Sequence, residues 1–328
     1  MSIYDVGGNP ISEGKSNNID VANVPAFVGS PVTIFENDDA NAISGVDDTL
    51  LNCVSVLKIS DSMYYMYYEG FDGSGYSNIS LCFAYSTDGE HFTKGFPDGI
   101  TAPITGTNRL VAKGSTHGHC VVKVPDDDYP YRMVAINGTN ANRIANLWRS
   151  ADGINWTLLR QITNGYNDSF VSVIVRGNLL KIFLRNRRDN IRSIGIITTD
   201  LDGNRHSSGY TTEILSEGAN AQLYQASASV LDERRELLLP TIYNASTSGE
   251  TVGCFILNGW DCAQKTINYS SVMPSTVRSI YFASGLVDIG KNTYAFYSTR
   301  DSDHDHFVAG TTKSAIRRIQ VSVSFPSV

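Results

Sequence analysis

Charge is scarce in this chain. Only 18% of its 328 residues are Asp, Glu, Lys or Arg, against about 25% in an average globular protein. That is too little for a disordered chain or a long solvated helix. The charge present sums to −7, from 26 basic and 33 acidic residues. The basic surface that a nucleic-acid binder needs to neutralise phosphates is therefore missing. No run of about 18 uninterrupted apolar residues occurs, so no segment reads as a membrane span. Residues 1–24 hold no basic region followed by an apolar core, and no signal peptide is visible. Cysteines are few, scattered and odd in number: Cys53, Cys82, Cys120, Cys254 and Cys262, with no CxxC pair. This argues against a disulfide framework or a zinc site, and for buried free thiols. Long amphipathic helices are absent too.

What is present is strand. Apolar residues make up 41% of the chain, with 17 Tyr and 13 Phe. Short runs rich in Val, Ile, Tyr, Phe and Thr alternate with Gly, Asn, Asp and Ser turns, the pattern of a sandwich, barrel or propeller. Internal repetition decides among these. A unit of strand, tight turn and second strand starts at Ser55, Cys120, Ser172, Ser229 and Ser284, in steps of 52 to 65 residues. A third strand follows in each, the last expected at Phe307–Thr312. Five such units predict an all-β, five-bladed β-propeller with four-stranded antiparallel blades, each burying its faces against its neighbours. The propeller is expected over 31–328 as one domain, with 1–30 a hairpin and linker before it.

Two turns share the pattern S-x-D-G-x-x-aromatic, Ser86 to Phe92 and Ser150 to Trp156, with a degenerate form at Thr199 to Gly203. Asp-Gly is a favoured two-residue hairpin turn because Gly accepts positive φ. The aromatic then opens the outer strand, so these residues read as structural.

The segment 64–94, Tyr-Tyr-Met-Tyr-Tyr-Glu-Gly through Ile-Ser-Leu-Cys-Phe-Ala-Tyr-Ser-Thr-Asp-Gly-Glu-His-Phe-Thr-Lys, resembles a blade of the five-bladed glycosidase propellers. That group holds arabinanases, β-xylosidases, invertase-like fructosidases and mannoside phosphorylases. The resemblance covers roughly residues 32–324. It implies a central funnel, a carbohydrate partner, and carboxylates at the start of the inner strands of blades one to three. Glycoside hydrolysis needs two of them, an acid on the leaving oxygen and a base or nucleophile across the ring.

The residues ahead of each repeat are the funnel candidates. Blade one offers Asn52 and Cys53 where the group has Asp-Pro, with Asp47 and Asp48 just before. Blade two offers His117 and His119, and blade three offers Asp168. Glu69 closes the Tyr-rich second strand. Asp168, Asp48 and Glu69 are the expected catalytic carboxylates if the protein is a hydrolase. Asn52, His117, His119, Tyr224, Gln225 and Tyr281 are expected on the funnel wall. Arg185 and Arg187, beside Arg188, suit a bidentate clamp on the carboxylate or phosphate of a uronate, sialate or sugar phosphate, or salt bridges to nearby loop acids.

No cofactor is expected. A cation near His119 or His306 is the one alternative, since the resembling group sometimes links a fifth-blade histidine to an ion. His304 and His306 lie in an Asp-rich loop without EF-hand spacing. The opening Met1 to Ser12 resembles the start of some bacteriophage tail and prophage surface proteins. This implies an extracellular or virion-associated protein whose residues 1–30 attach to a virion or build a homotrimer. Two readings follow: a glycoside hydrolase acting on an oligo- or polysaccharide, or a non-catalytic glycan-binding receptor-recognition protein.

Overall fold

A computed structural model of the chain describes residues 3–4, 10–12, 25–73, 76–114, 116–137, 143–163, 169–188, 190–205, 212–258, 261–265, 267–303 and 311–322. Among these residues the only helix is a single 3₁₀ turn, Tyr76–Asn78. Five antiparallel sheets form the five blades.

Blade one runs from the axis outward as Leu50–Ser60, Met63–Phe71, Ile79–Ser86 and Thr93–Lys94. Blade two is His117–Lys123, Tyr131–Asn137, Ile144–Ser150 and Thr157–Gln161. Blade three is Ser169–Arg176, Leu179–Arg188, Ile191–Asp200 and Thr212–Ile214. Blade four is Gln222–Val230, Arg235–Asn244, a third strand broken into Gly249–Val252 and Cys254–Asn258, and Asp261–Lys265.

Blade five departs from the expected pattern. Its inner strand is split into Ser279–Tyr281 and Val287–Ile289, both paired to Asn292–Arg300. Its third strand is Ser314–Ser322; residues 307–310 of the expected span lie outside the described residues. Its outer strand comes from the other end of the chain: Ala26–Glu36 pairs antiparallel with Ser314–Ser322, Phe35 opposite Ile316 and Phe27 opposite Val321. The strand closes the ring and covers an edge that would otherwise be open to pairing. The propeller thus takes residues from Ala26 onward, inside the segment expected to be a linker. Further back, Ile3–Tyr4 and Pro10–Ser12 add two short strands to the outer edge of blade three.

Each gap between blades holds its own apolar core. Neighbouring residues of a second strand point to opposite gaps, the period of two expected of a strand buried on both faces. Met133 packs with Tyr67 and Phe83 of blade one, while Val134 packs with Val173 and Ile182 of blade three. Phe183 faces Leu238 of blade four, and Leu237 faces Tyr297 of blade five. Phe296 faces Tyr68 of blade one and completes the circle.

The inner strands present unpaired backbone groups to one another around the channel. Small side chains from the adjacent blade satisfy them. Val121 N–H donates to Ser55 Oγ (3.1 Å), Val173 N–H to Cys120 Sγ (3.4 Å) and Ala228 N–H to Ser172 Oγ (2.9 Å). Leu286 N–H donates to Ser229 Oγ (2.9 Å), and Val56 N–H returns to Ser284 Oγ (3.3 Å). The repeat starts seen in the sequence are the links of this ring. Cys120 fills one link as a neutral thiol, its pKa pushed up by burial to about 11. All five cysteines are free.

The S-x-D-G turns are longer than two-residue hairpins. The third strands end at Ser86 and Ser150 and the outer strands start at Thr93 and Thr157. The Asp side chain makes the difference, because it accepts two backbone N–H groups ahead of it. Asp88 Oδ1 takes Glu90 N–H (2.7 Å) and His91 N–H (2.8 Å). Asp152 Oδ1 takes Ile154 N–H (2.8 Å) and Asn155 N–H (2.7 Å).

Candidate functional site

The inner strands all start at one end of the channel, here called the top. There the ladder between first and second strands slips in four of the five blades. The slips fall between Asn52 and Val54, His117 and Cys120, Ser169 and Val171, and Leu223 and Gln225. Such bulges re-aim side chains and recur beside functional sites. The extra residues include Cys53, Gly118, Phe170 and Tyr224. Three of them hold left-handed backbone: Cys53 at φ 36°, Gly118 at φ 58° and Phe170 at φ 49°. For a cysteine and a phenylalanine this conformation is costly, and it persists only where the surroundings enforce it. Gly118 answers a second need as well. A Cβ there would lie 2.7 Å from the Phe170 backbone nitrogen.

The bulges turn their side chains to the axis. Cys53, Phe170 and Tyr224 meet Tyr243, Tyr281 and Ala283 in one cluster. Phe170 stacks on Tyr281 (5.5 Å between centroids, 5° between planes) and meets His117 edge-on at 5.0 Å. Tyr224 leans on Phe170 at 5.3 Å and on Tyr243 at 6.1 Å. Among the funnel residues expected from sequence, His117, Tyr224, Tyr281 and Gln225 are brought together here, Gln225 through an amide 4.0 Å from Cys53 Sγ.

Glu69 is buried beside this cluster. Asn52 Nδ2 donates to its Oε2 (3.2 Å), and Gly118 N–H donates to its Oε1. His117 Nδ1 lies 3.2 Å from Oε1 and His119 Nδ1 4.0 Å. Burial alone would raise the Glu69 carboxyl. The His117 charge and hydrogen bond, with His119 and the Gly118 N–H, outweigh it and hold the group below its ordinary value. Burial pulls the His119 ring downward, and Glu69 only partly restores it. A second buried carboxylate, Glu250, accepts Ile280 N–H (2.9 Å) and the Tyr281 hydroxyl (3.1 Å). Both carboxylates are thus engaged by protein donors.

Arginines cap the aromatic layer. The Arg185 guanidinium lies over Phe170 (5.0 Å) and Tyr224 (4.2 Å). Arg192 lies over Tyr224 (4.9 Å) and Tyr243 (5.4 Å), and Arg300 over Tyr281 (4.8 Å). Arg143 Nη1 donates to Ser169 Oγ (3.2 Å), and Ser169 is the register partner of Arg185. Burial lowers the Arg185 pKa; Tyr224 opposes this, and Arg192 and Arg143 add to it.

The remaining candidates lie elsewhere. Asp48 is exposed in a turn, where it accepts Gly45 N–H (3.2 Å). Asp47 is fully buried, paired with Lys94 Nζ (2.9 Å) and accepting the Tyr68 hydroxyl (2.6 Å). Arg187 is exposed and donates to Asn190 (3.1 Å), so the basic knot divides: Arg185 joins the axis cluster and Arg187 does not. Asp168, His304 and His306 lie outside the described residues, as do Gly138 to Asn142. Among the described residues no group of three or more His, Cys, Asp or Glu side chains, at His119 or elsewhere, is arranged to hold a metal ion.

Sequence reasoning placed Phe170 ahead of the third repeat without giving it a role, and missed Tyr243, Arg143, Arg192, Arg300 and Glu250 as members of this cluster. For Phe170 a signal existed. It stands two residues before Ser172, as Cys53 stands before Ser55 and Gly118 before Cys120. The others reside on second and third strands or, for Arg143, directly ahead of one, which the repeat starts do not mark.

No known family model matches the chain, and no curated protein matches it. Solved structures do. An α-L-arabinofuranosidase from Podospora anserina, in complex with cellotriose, superposes with a TM-score of 0.54 at 13% identity, over 91% of this chain and 96% of its own. A glycosyl hydrolase from Bacteroides ovatus gives 0.53 at 14%, over 89% and 94%. A structure from the family of mannoside phosphorylases that contains glycoside hydrolases targeting β-1,2 mannosidic linkages in Candida mannan gives 0.51 at 12%, over 89% and 94%. The chain has the five-bladed fold of the glycoside hydrolase propellers.

Proposed function

We propose that this protein is a carbohydrate-recognising propeller that binds its glycan at the top of the channel. The observation that carries this is the bulge repeated in four blades, which turns Cys53, Phe170 and Tyr224 to the axis, at Cys53 and Phe170 at the cost of left-handed backbone. Strain kept at one place in a repeated fold marks a site under functional constraint. Flat aromatic faces beside amide and imidazole groups suit a sugar, which presents an apolar face and a rim of hydroxyls. The fold neighbours act on glycans, which supports the same reading.

Recognition is favoured over hydrolysis because Glu69 and Glu250 already accept hydrogen bonds from protein donors. One observation favours hydrolysis, namely that Glu69 is held ionised between two histidines. In that reading Asp168 supplies the second carboxyl, and the pair performs the acid and base steps. Attachment through residues 1–30, to a virion or in a homotrimer, belongs to the recognition reading. Removing residues 1–24 would then abolish assembly and spare glycan binding.

A glycan array on the purified protein, followed by a day-long cleavage check of every bound glycan, tests the proposal. Binding without cleavage is expected, and Tyr224→Ala should weaken it about tenfold, roughly 1.4 kcal/mol. Cleavage abolished by Glu69→Gln would establish the hydrolase instead. An array with no bound glycan would remove the carbohydrate reading.

A further inference from the structure

The inference here rests on the glycan reading and names the chemistry of the sugar. We propose that the recognised sugar carries a carboxylate, and that Arg185, with Arg143 and Arg192 beside it, receives that group.

Three observations bear on it. First, the arginines come from two blades and meet over one aromatic layer. Arg185 and Arg192 both lie over Tyr224, and Arg143 bonds Ser169, the residue opposite Arg185 in the ladder. Second, Arg185 is only 7% exposed and its Nη1 has no hydrogen-bond partner. On the other side of the cluster, Arg300 is as buried and its Nε is likewise without one. Third, among the described residues neither Arg185 nor Arg192 has a carboxylate within ion-pair distance. Elsewhere among the described residues, buried Lys94 has Asp47, buried Arg132 has Asp127, and half-buried Arg176 and Lys181 share Glu236.

Burying a cation without a counter-ion is costly. Placing like charges together raises that cost, since each disfavours the other's charged form. An anion bound across them removes both penalties. A planar carboxylate fits best, because a guanidinium presents two parallel N–H groups to its two oxygens. The aromatic faces beneath would carry the ring of the same sugar. A uronate and a sialate share this chemistry, so each is a separate arm of the test.

Calorimetric titration with trigalacturonate and with 3′-sialyllactose, each beside its carboxyl-reduced counterpart, reads the proposal. The acid form of one pair should bind about 10- to 100-fold more tightly than its reduced form. Arg185→Gln should remove that preference, and its melting temperature should hold or rise because an unmatched charge has gone. If Arg185→Gln does not fold, the wild-type protein decides. Affinity for the acid form should fall steeply with added salt, and affinity for neutral glycans should stay flat. Equal binding of acid and reduced forms overturns the carboxylate inference and leaves the glycan reading standing. A protein that binds no glycan, acid or neutral, loses both.

Discussion

The two ends of the channel are made from the same five inner strands and are chemically opposite. At the bottom the inner ladders keep register, apart from one slip in blade one between Lys58 and Ser60. Val56, Val121, Val173 and Ala228 line a cavity of about 430 Å³, with Lys123 and Asp288 on its wall. At the top the strands bulge, and the axis is filled by Phe170, Tyr224 and Tyr281 under a layer of arginines. Between them the ring of Ser55, Cys120, Ser172, Ser229 and Ser284 holds the blades in register. Regular ladder yields small apolar side chains at the axis. An extra residue per blade yields large aromatic and polar ones. Chemistry has accumulated where the repeat is broken.

Asp47 gives the harshest test of where that functional end stops. It sits at the top, three residues before the first inner strand, yet it is sealed in an ion pair with Lys94. Replacing Asp47 by Asn strands a buried ammonium, and breaking such a pair costs about 3–5 kcal/mol. Chemical denaturation should show that loss, while folded Asp47→Asn protein binds glycan as before. Unchanged stability with lost binding would instead make Asp47 part of the site and move the boundary outward.

The sequence exposes the bottom and middle of the molecule better than the top. The small residues of the hydrogen-bonded ring recur because each must fit between two blades, so they print a period on the chain. The S-x-D-G turns are legible because one carboxylate must cap two N–H groups at a fixed spacing. A bulge leaves no such mark in residue type; only the place of Cys53, Gly118 and Phe170 two residues before a repeat start betrays it. It is one added residue of any type, and Cys53, Gly118, Phe170 and Tyr224 share no chemistry. The arginines are hidden for a related reason. Arg143, Arg192 and Arg300 stand at the top ends of second or third strands, where solvated arginines are ordinary, and only the closed ring brings them together. The closing strand Ala26–Glu36 was equally illegible, since its partner lies almost three hundred residues away in sequence.

At the bottom, Val173→Ala should cost less and mean something different. Val173 is buried on the cavity wall, and two lost methyl groups with incomplete relaxation amount to about 1–2 kcal/mol. Its backbone bond to Cys120 survives the change. Glycan affinity should be unmoved. A tenfold fall in affinity would mean that the two ends are coupled along the inner strands and that their separation is false.

The smallest effect should appear in acid, at the turns that join third to fourth strands on the bottom side. Burial pushes the carboxyls of Asp88 and Asp152 upward. The His91 ring and the backbone N–H groups of His91 and Glu90 overrule it at Asp88. At Asp152 the backbone and side chain of Asn155, with Ile154 N–H, do the same. Both groups are held below the ordinary carboxylate range, so the folded state binds fewer protons than the unfolded chain as pH falls. Their stabilisation is complete above the unfolded value, about 3.9, and is lost as pH drops through the lower folded values. The Asp88→Asn, Asp152→Asn protein should therefore melt slightly lower than wild type near neutral pH, and the gap should close as pH falls below about 4. A gap that persists undiminished in acid would show that the turns depend on side-chain shape rather than on charge. Glycan binding at neutral pH should be the same in both proteins, because these turns hold the bottom of the ring and the proposed sugar site lies at the top.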